Sequence, residues 1–332
     1  MTKNKELSDA LLDWFSVHGR DMPWRVKNAA HPDAYAVWIS EIMLQQTTVK
    51  TVISYFNNWM TIFPDIQTLA AAKLEDVLHA WQGLGYYTRA KKIYECAQVL
   101  MKEYGGKIPA AREKLLKLPG IGPYTASSIC AFAFNMPETV VDGNVIRVLA
   151  RLYGIEKAVT QNDIYPIAEK LTSQKHGADY ASAIMDLGAT VCTPANPDCG
   201  ACPWHKWCIA SQKKITDKIP LIIKPAKLEK SGTLFLIYNQ KGDLFIQKRP
   251  GKGLLSGLYE FPWVYDSNDL FKSEWHLQKK KVTHVFTHFK LTLSIKKTTC
   301  TTPPLSDGFF VSPADFGKFA FSTLMKKAMK LI

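Results

Sequence analysis

Cys192-Thr193-Pro194-Ala195-Asn196-Pro197-Asp198-Cys199-Gly200-Ala201-Cys202-Pro203-Trp204-His205-Lys206-Trp207-Cys208 sets four cysteines at gaps of six, two and five residues. Four thiolates this close in sequence can hold zinc or an iron–sulphur cluster. Zinc ribbons usually show two close pairs. Here only Cys199 and Cys202 have the two-residue gap, and the wider gaps suit a larger cubane cluster. Spacing alone leaves a zinc site of the same topology open. Pro194, Pro197 and Pro203 stiffen the loop, so its ligands are held at a smaller ordering cost. Cys96, Cys130 and Cys300 stand alone and read as small buried apolar residues.

Upstream of this loop the chain reads as helical. Apolar residues recur at spacings of three and four over 5–18, 35–46, 49–60, 74–81, 88–104, 112–117, 123–133, 142–153 and 163–173. Downstream the texture changes. Residues 211–230 are lysine-rich with prolines at 220 and 225, as expected of a linker. Strand-like runs follow at Thr233–Tyr238, Leu244–Lys248 and Leu291–Ile295, and a helix is expected over 315–330. The expected fold is therefore multidomain: an all-α part followed by a smaller α/β part.

The 332 residues suit two or three domains, and the net charge is +13. Residues 1–210 hold 21 basic and 20 acidic side chains, against 21 and 9 in 211–332. A basic surplus of this size favours a polyanionic partner. The start, MTKNKELSDALLDWF, lacks a signal-peptide apolar region, and no stretch is apolar enough to span a bilayer. A cytoplasmic, nucleoid-associated protein without a membrane partner is expected, so clustered cysteines read as metal ligands rather than disulfides.

Leu118-Pro119-Gly120-Ile121-Gly122-Pro123-Tyr124-Thr125-Ala126 joins two helical segments. Gly120 and Gly122 let the backbone turn tightly and approach a partner closely. The free N–H groups of the next helix then suit a phosphate, a contact that positions nucleic acid without reading its sequence. About twenty residues on, Val140-Val141-Asp142-Gly143-Asn144-Val145-Ile146-Arg147 offers Asp142 as a helix N-cap, which would fix the direction of its carboxylate. Within the apolar run Val37-Trp38-Ile39-Ser40-Glu41-Ile42-Met43-Leu44-Gln45-Gln46-Thr47, helical spacing sets Glu41 among apolar neighbours. Poor hydration raises a carboxyl pKa and favours the protonated form that a general acid needs.

Taken together, the hairpin, Asp142 and the cysteine loop resemble the helix-hairpin-helix glycosylase superfamily. The cysteine spacing is that of the endonuclease III and MutY glycosylases. Ser40–Thr47, Pro23-Trp24-Arg25 and Gln82-Gly83-Leu84-Gly85-Tyr86-Tyr87 resemble the MutY adenine glycosylases, so the likeness spans most of 1–210. It implies one [4Fe-4S] cluster on Cys192, Cys199, Cys202 and Cys208. It also implies two lobes: a six-helix barrel over about 26–134, and an iron–sulphur lobe from 1–25 plus 135–210, with duplex DNA across the cleft between them. Glu41 would protonate adenine at N7, Asp142 would stabilise the oxocarbenium-like sugar or form a transient adduct, and Tyr124 and Asn144 would support that centre. Gln46, Thr47, Leu84, Gly85 and Tyr86 would line the DNA, Tyr86 as a wedge, with Trp24 and Arg25 flanking the flipped base. Relatives that also cleave the strand usually carry lysine at the position of Tyr124 for a Schiff base. Tyrosine there implies base removal alone. Residues 26–34 form a longer loop than the family usually has.

The C-terminal part, 231–332, also carries a resemblance. Lys248-Arg249-Pro250 and Gly257-Leu258-Tyr259-Glu260-Phe261-Pro262 resemble a Nudix domain. The acidic magnesium-binding helix of active Nudix hydrolases is replaced by Trp263-Val264-Tyr265-Asp266-Ser267-Asn268, so diphosphate hydrolysis is not expected. Phe286-Thr287-His288 stands where the family has Phe-Ser-His, the element that senses 8-oxoguanine opposite the adenine. The expected substrate is double-stranded DNA with adenine opposite 8-oxoguanine or guanine, acted on by a monomer. An endonuclease III-like enzyme is disfavoured by Tyr124 and the C-terminal part, and a DNA-binding redox protein by the paired carboxylates.

Overall fold

The structure, a computed structural model, describes residues 3–25, 32–221, 226–250, 253–265 and 269–332. Most of the expected long loop, residues 26–31, lies outside the described residues, as do Asp266, Ser267 and Asn268. The chain divides into two compact units, Met1–Ala71 with Glu95–Lys224, and Ala72–Tyr94 with Pro225–Ile332. Residues 72–94, which a linear reading leaves among the helices, thus fold with the C-terminal part.

The helices run α1 Lys3–His18, α2 Ala34–Leu44, α3 Val49–Ile62, α4 Ile66–Ala71, α5 Leu74–Ala80, α6 Thr88–Tyr104, α7 Arg112–Leu115, α8 Pro123–Phe134, α9 Gly143–Leu152, α10 Gln161–Glu169, α11 Gly177–Thr190 and α12 Ile209–Gln212. Among them α2 and α11 are buried on nearly every side. A helix with no solvent face shows no amphipathic period, which is why α11 does not stand out in the sequence. By contrast α9 has one apolar face. Its Val145, Val148, Leu149 and Leu152 pack in one core with Leu7 and Leu11 of α1, Leu187 of α11 and Trp204 of the cysteine loop. The indole N–H of Trp204 donates to the Leu7 carbonyl at 2.8 Å, tying that loop to the start of the chain. Cys96 and Cys130 are buried as expected, whereas Cys300 is only half-buried.

The second unit is built on a mixed sheet of β1 Leu228–Tyr238, β2 Leu244–Lys248, β3 Tyr259–Glu260, β4 Trp263–Val264, β5 His276–Val285, β6 Phe289–Thr299 and β7 Gly308–Val311. The order is β3-β2-β1-β6-β5, with β4 paired to β1 and β7 to β2. The centre is the parallel β1–β6 pair, in register from Leu228 opposite Phe289 to Tyr238 opposite Thr299. Strand β5 is an edge whose Lys279-Lys280-Lys281 run masks its alternation. Lysines on an edge also oppose pairing with other chains. The helix expected over 315–330 is two pieces, a 3-10 helix at Pro313–Lys318 and α13 at Thr323–Met329. Ser322 divides them because its hydroxyl caps α13, accepting the Met325 N–H at 3.3 Å.

Candidate active site

Glu41 lies inside α2, which Asp33 starts by accepting the Tyr35 N–H at 3.1 Å. Only 7% of Glu41 is exposed. Burial pushes its carboxyl from 4.5 up to about 7, and the nearby Asp142 adds to the rise. Hydrogen bonding to Ser128 and Tyr124, together with the charge of Arg25, draws it partly back. Such a group is part protonated and part charged at neutral pH, as an acid that later turns base requires. Burial first, then Glu41 and Asp142, keep the Tyr124 phenol well above its usual range, so it stays a neutral hydrogen-bonding group.

Asp142 is the N-cap of α9. Its Oδ1 accepts the Val145 N–H and its Oδ2 accepts from Asn144 Nδ2, each at 2.8 Å. Asn144 is itself held by Arg147, whose Nη2 donates to its Oδ1 at 2.8 Å. These bonds fix the carboxylate in one orientation. Trp24, Arg25, Glu41, Gln46, Thr47, Tyr124, Asp142 and Asn144 all line one open cleft of about 1190 Å³ within the helical unit. Gln46 and Thr47 reach it because α2 stops at Leu44 and Gln46 turns left-handed, with φ 58°. Trp24 also packs edge-on against Phe56.

Two residues that were not anticipated, Arg20 and Asp186, meet beside this cleft, and Arg20 lines it. Asp186 of α11 is fully buried. It accepts from Arg25 Nη1 at 2.8 Å and Nη2 at 3.0 Å, and from Arg20 Nη2 at 2.6 Å. Burial opposes its charge, yet the two guanidinium groups hold its carboxyl below the usual range. An acid within an apolar run was the signal at Glu41, and Asp186 in Ala183-Ile184-Met185-Asp186-Leu187 carries the same one.

The hairpin glycines lie in the same unit. Gly120 is left-handed at φ 78°, and Gly122 caps α8 with Pro123 as its first residue. A Cβ at Gly122 would meet nothing within 4 Å, so the backbone there is open to a close partner. Leu84, Gly85 and Tyr86 belong to the other unit, in a turn that leaves Tyr86 44% exposed. Phe286-Thr287-His288 is the turn of the β5–β6 hairpin, with Thr287 and His288 exposed and the Phe286 ring stacked on Phe289 at 4.7 Å.

Cys192, Cys199, Cys202 and Cys208 line one small pocket, and none forms a disulfide. Burial pushes the Cys202 thiol up to about 12, and the other three cysteines add to the shift. The buried Arg151 staples the loop, donating to the carbonyls of Thr193 at 2.7 Å and Pro194 at 3.1 Å and to Cys192 Sγ at 3.4 Å. Among the described residues no three His, Cys, Asp or Glu side chains are grouped so as to hold a metal ion. The chemistry of this donor set, four thiols lining one pocket beside a guanidinium, fits an anionic iron–sulphur cluster.

This chain is 36% identical to the adenine DNA glycosylase of Buchnera aphidicola subsp. Schizaphis graminum, over 86% of this chain and 85% of that protein. It is 34% identical to the adenine DNA glycosylase of Homo sapiens, over 97% of this chain and 73% of that one. The chain belongs to the adenine DNA glycosylase family. Residues 39–174 match the HhH-GPD superfamily of base excision DNA repair proteins, and residues 233–331 match the NUDIX domain. This member of the adenine DNA glycosylases therefore joins a helix-hairpin-helix core to a Nudix-like α/β domain. A solved thermostable thymine-DNA glycosylase is similar at 27% identity with a TM-score of 0.57, over 64% of this chain and 97% of that one. A non-covalent endonuclease III–DNA complex shares the fold at 21% identity with a TM-score of 0.53, over 65% and 99%. No helix among the described residues is long and apolar enough to cross a membrane.

Proposed function

We propose that this chain is a monofunctional adenine DNA glycosylase that removes adenine opposite 8-oxoguanine or guanine in duplex DNA. The observation that carries this reading is the meeting of Glu41, Tyr124 and the capped Asp142 in one cleft. Glu41 gives its proton to N7 of the flipped adenine, so the C1′–N9 bond breaks with its electrons leaving on the base. The carboxylate of Asp142 stabilises the sugar cation or adds to C1′, and Glu41 then takes a proton from the attacking water. Tyr124 and Asn144 hold the two carboxyl groups by hydrogen bonding. Tyr124 cannot form a Schiff base, so the sugar–phosphate strand stays intact.

The remaining assignments follow the same reading. The catalytic region is 1–210, with the barrel lobe at about 26–134, whose stretch 72–94 packs with the sheet-bearing unit, and the other lobe from 1–25 plus 135–210. A linker at 211–230, whose last residues Leu228–Lys230 already open β1, leads to a recognition domain at 231–332, in which Phe286, Thr287 and His288 read the base opposite the adenine. Gly120 and Gly122 take a phosphate, Trp24 and Arg25 flank the adenine, and Gln46, Thr47, Leu84, Gly85 and Tyr86 face the strands. The four cysteines would hold one [4Fe-4S] cluster, which when bound supplies cross-linking of the loop that Trp204 and Arg151 anchor, with no bond chemistry. The protein acts as a monomer on DNA in the cytoplasm, at the nucleoid.

The test is incubation with duplexes carrying A:8-oxoguanine, A:C and thymine glycol, followed by alkali. Adenine release from the first alone supports the proposal. Strand cleavage at thymine glycol without alkali overturns it.

A further inference from the structure

The turn Gly83–Tyr86 folds with the sheet-bearing unit, although the sequence around it reads as part of the helical region. The turn is stiff in itself. Gly83, Gly85 and Tyr86 take left-handed φ values of 113°, 72° and 48°. The Trp81 indole donates to the Gly85 carbonyl at 3.0 Å, and Arg89 Nη2 donates to the Leu84 carbonyl at 3.1 Å. The Arg89 guanidinium lies 5.5 Å from the ring of Tyr86, which is 44% exposed.

Both arms of the turn are tied to the C-terminal residues of the same unit. On the incoming arm, His79 Nε2 is 2.9 Å from the Gly317 carbonyl. Gln82 Nε2 donates to the carbonyls of Phe321 at 3.0 Å and Phe319 at 3.4 Å. On the outgoing arm, the Tyr87 hydroxyl donates to Phe321 at 3.4 Å and Lys91 Nζ donates to Ser256 Oγ at 2.8 Å. The acceptor segment 317–321 runs directly into α13. There Phe321, Leu324 and Met325 share a core with Val282 of β5 and Leu291 of β6, and Phe286 packs against that core. A continuous packed path thus joins the Gly83–Tyr86 turn to the Phe286-Thr287-His288 turn.

We propose that Gln82, a positioning residue bonded to the carbonyls of Phe319 and Phe321, couples the wedge Tyr86 to the Phe286-Thr287-His288 turn, so that the two engage one duplex together. The inference rests on the glycosylase reading for its ligand, duplex DNA. Two contacts on one body reinforce each other, because making the first brings the second to high effective concentration. Unstacking by Tyr86 is then favoured where the hairpin turn finds its lesion, and this coupling separates A:8-oxoguanine from A:G.

The test compares Gln82→Leu and Gln82→Glu, neither of which can donate to the two carbonyls, with Gln82→Lys, which keeps a donor. Hydrogen exchange is followed in peptides covering 83–88 and 317–321 of the full chain without DNA. Single-turnover adenine release is measured on A:8-oxoguanine and A:G duplexes. Losing the donor should speed exchange in both peptides about two- to tenfold and lower the rate ratio between the duplexes by a similar factor, as expected for the 3.0 Å bond to Phe321, the 3.4 Å contact to Phe319 adding little. Gln82→Lys should restore much of both. Unchanged exchange, or two rates that fall together at a constant ratio, overturns the proposal, since a merely structural role gives the latter. If the unaltered protein released adenine from neither duplex, the glycosylase reading would fail, while the exchange arm would still uphold or refute the latch.

Discussion

Arg147 joins Asn144 to the cysteine loop: Nη2 donates to Asn144 Oδ1 at 2.8 Å while Nε donates to the Cys192 carbonyl at 2.8 Å. Asn144 in turn donates to Asp142, so the loop and the carboxylate are three hydrogen bonds apart. Arg147→Met should slow single-turnover adenine release about ten- to a hundredfold, the usual effect of losing a group that orients a reacting one. Duplex affinity, measured separately, should change little, since Arg147 faces protein acceptors. A loss confined to affinity would show that this chain of bonds does not position Asp142.

Glu41 ties activity to pH. Its carboxyl titrates at about 7, and in the proposed reaction it is the protonated form that donates. The single-turnover rate should therefore fall about tenfold per pH unit above that value, as for any step needing one proton on the enzyme. Arg25→Met removes a nearby positive charge that lowers the Glu41 pKa, so it should move this limb upward. A rate that stays level from pH 6 to 9 would remove Glu41 from the acid role.

The same group governs stability, with a definite sign. The unfolded carboxyl titrates near 4.5 and the folded one near 7, so the folded state binds the proton more tightly. Its contribution is complete below about 4.5 and is lost as pH rises through about 7. Glu41→Gln stays neutral throughout. It should abolish base release yet gain up to about 3 kcal/mol over the parent above pH 7, fading toward pH 4.5. Melting curves at pH 5 and pH 8 measure the difference, and equal shifts at both would contradict the burial of this group.

The helical register and Glu41 were legible because α2, α9 and the hairpin carry local signals: an apolar run, an N-cap and paired glycines. Asp142 was legible as a cap, and the structure shows that capping is what orients it. Less was readable where tertiary context decides. The α11 helix has no polar face to mark it, and β5 hides behind three lysines. Asp186 could be seen only as an acid without a partner nearby in sequence, because Arg20 and Arg25 close on it from 160 or so residues away. The ties from His79, Gln82 and Tyr87 to the C-terminal residues run from side chains to backbone carbonyls, which leave no pattern in sequence.

Cys199→Ser, compared with Cys300→Ser, tests the loop as a cluster site. The first should lose iron and visible absorbance, lower the melting temperature and weaken duplex binding. The second should leave all three unchanged, since Cys300 is remote in sequence and belongs to the other unit. Equal iron content in the two variants would sink the cluster assignment.

Gly188 offers the sharpest test of how closely α11 must approach α9. A Cβ on Gly188 would sit 2.6 Å from Asn144 Cβ and 3.2 Å from its Cα. Backbone atoms cannot swing aside as a flexible side chain can, so one helix must move. The Gly188 carbonyl also accepts from Arg147 Nη2 at 2.7 Å, and any shift there pulls on the group that holds Asn144. Alanine in a helix interior is otherwise favoured over glycine by about 1 kcal/mol. Overpacking costs about 1–3 kcal/mol and should win here. Gly188→Ala should lower the melting temperature and reduce adenine release at least as much as Arg147→Met. A variant that melted higher and released adenine at the parent rate would show that Asn144 does not need its present seat.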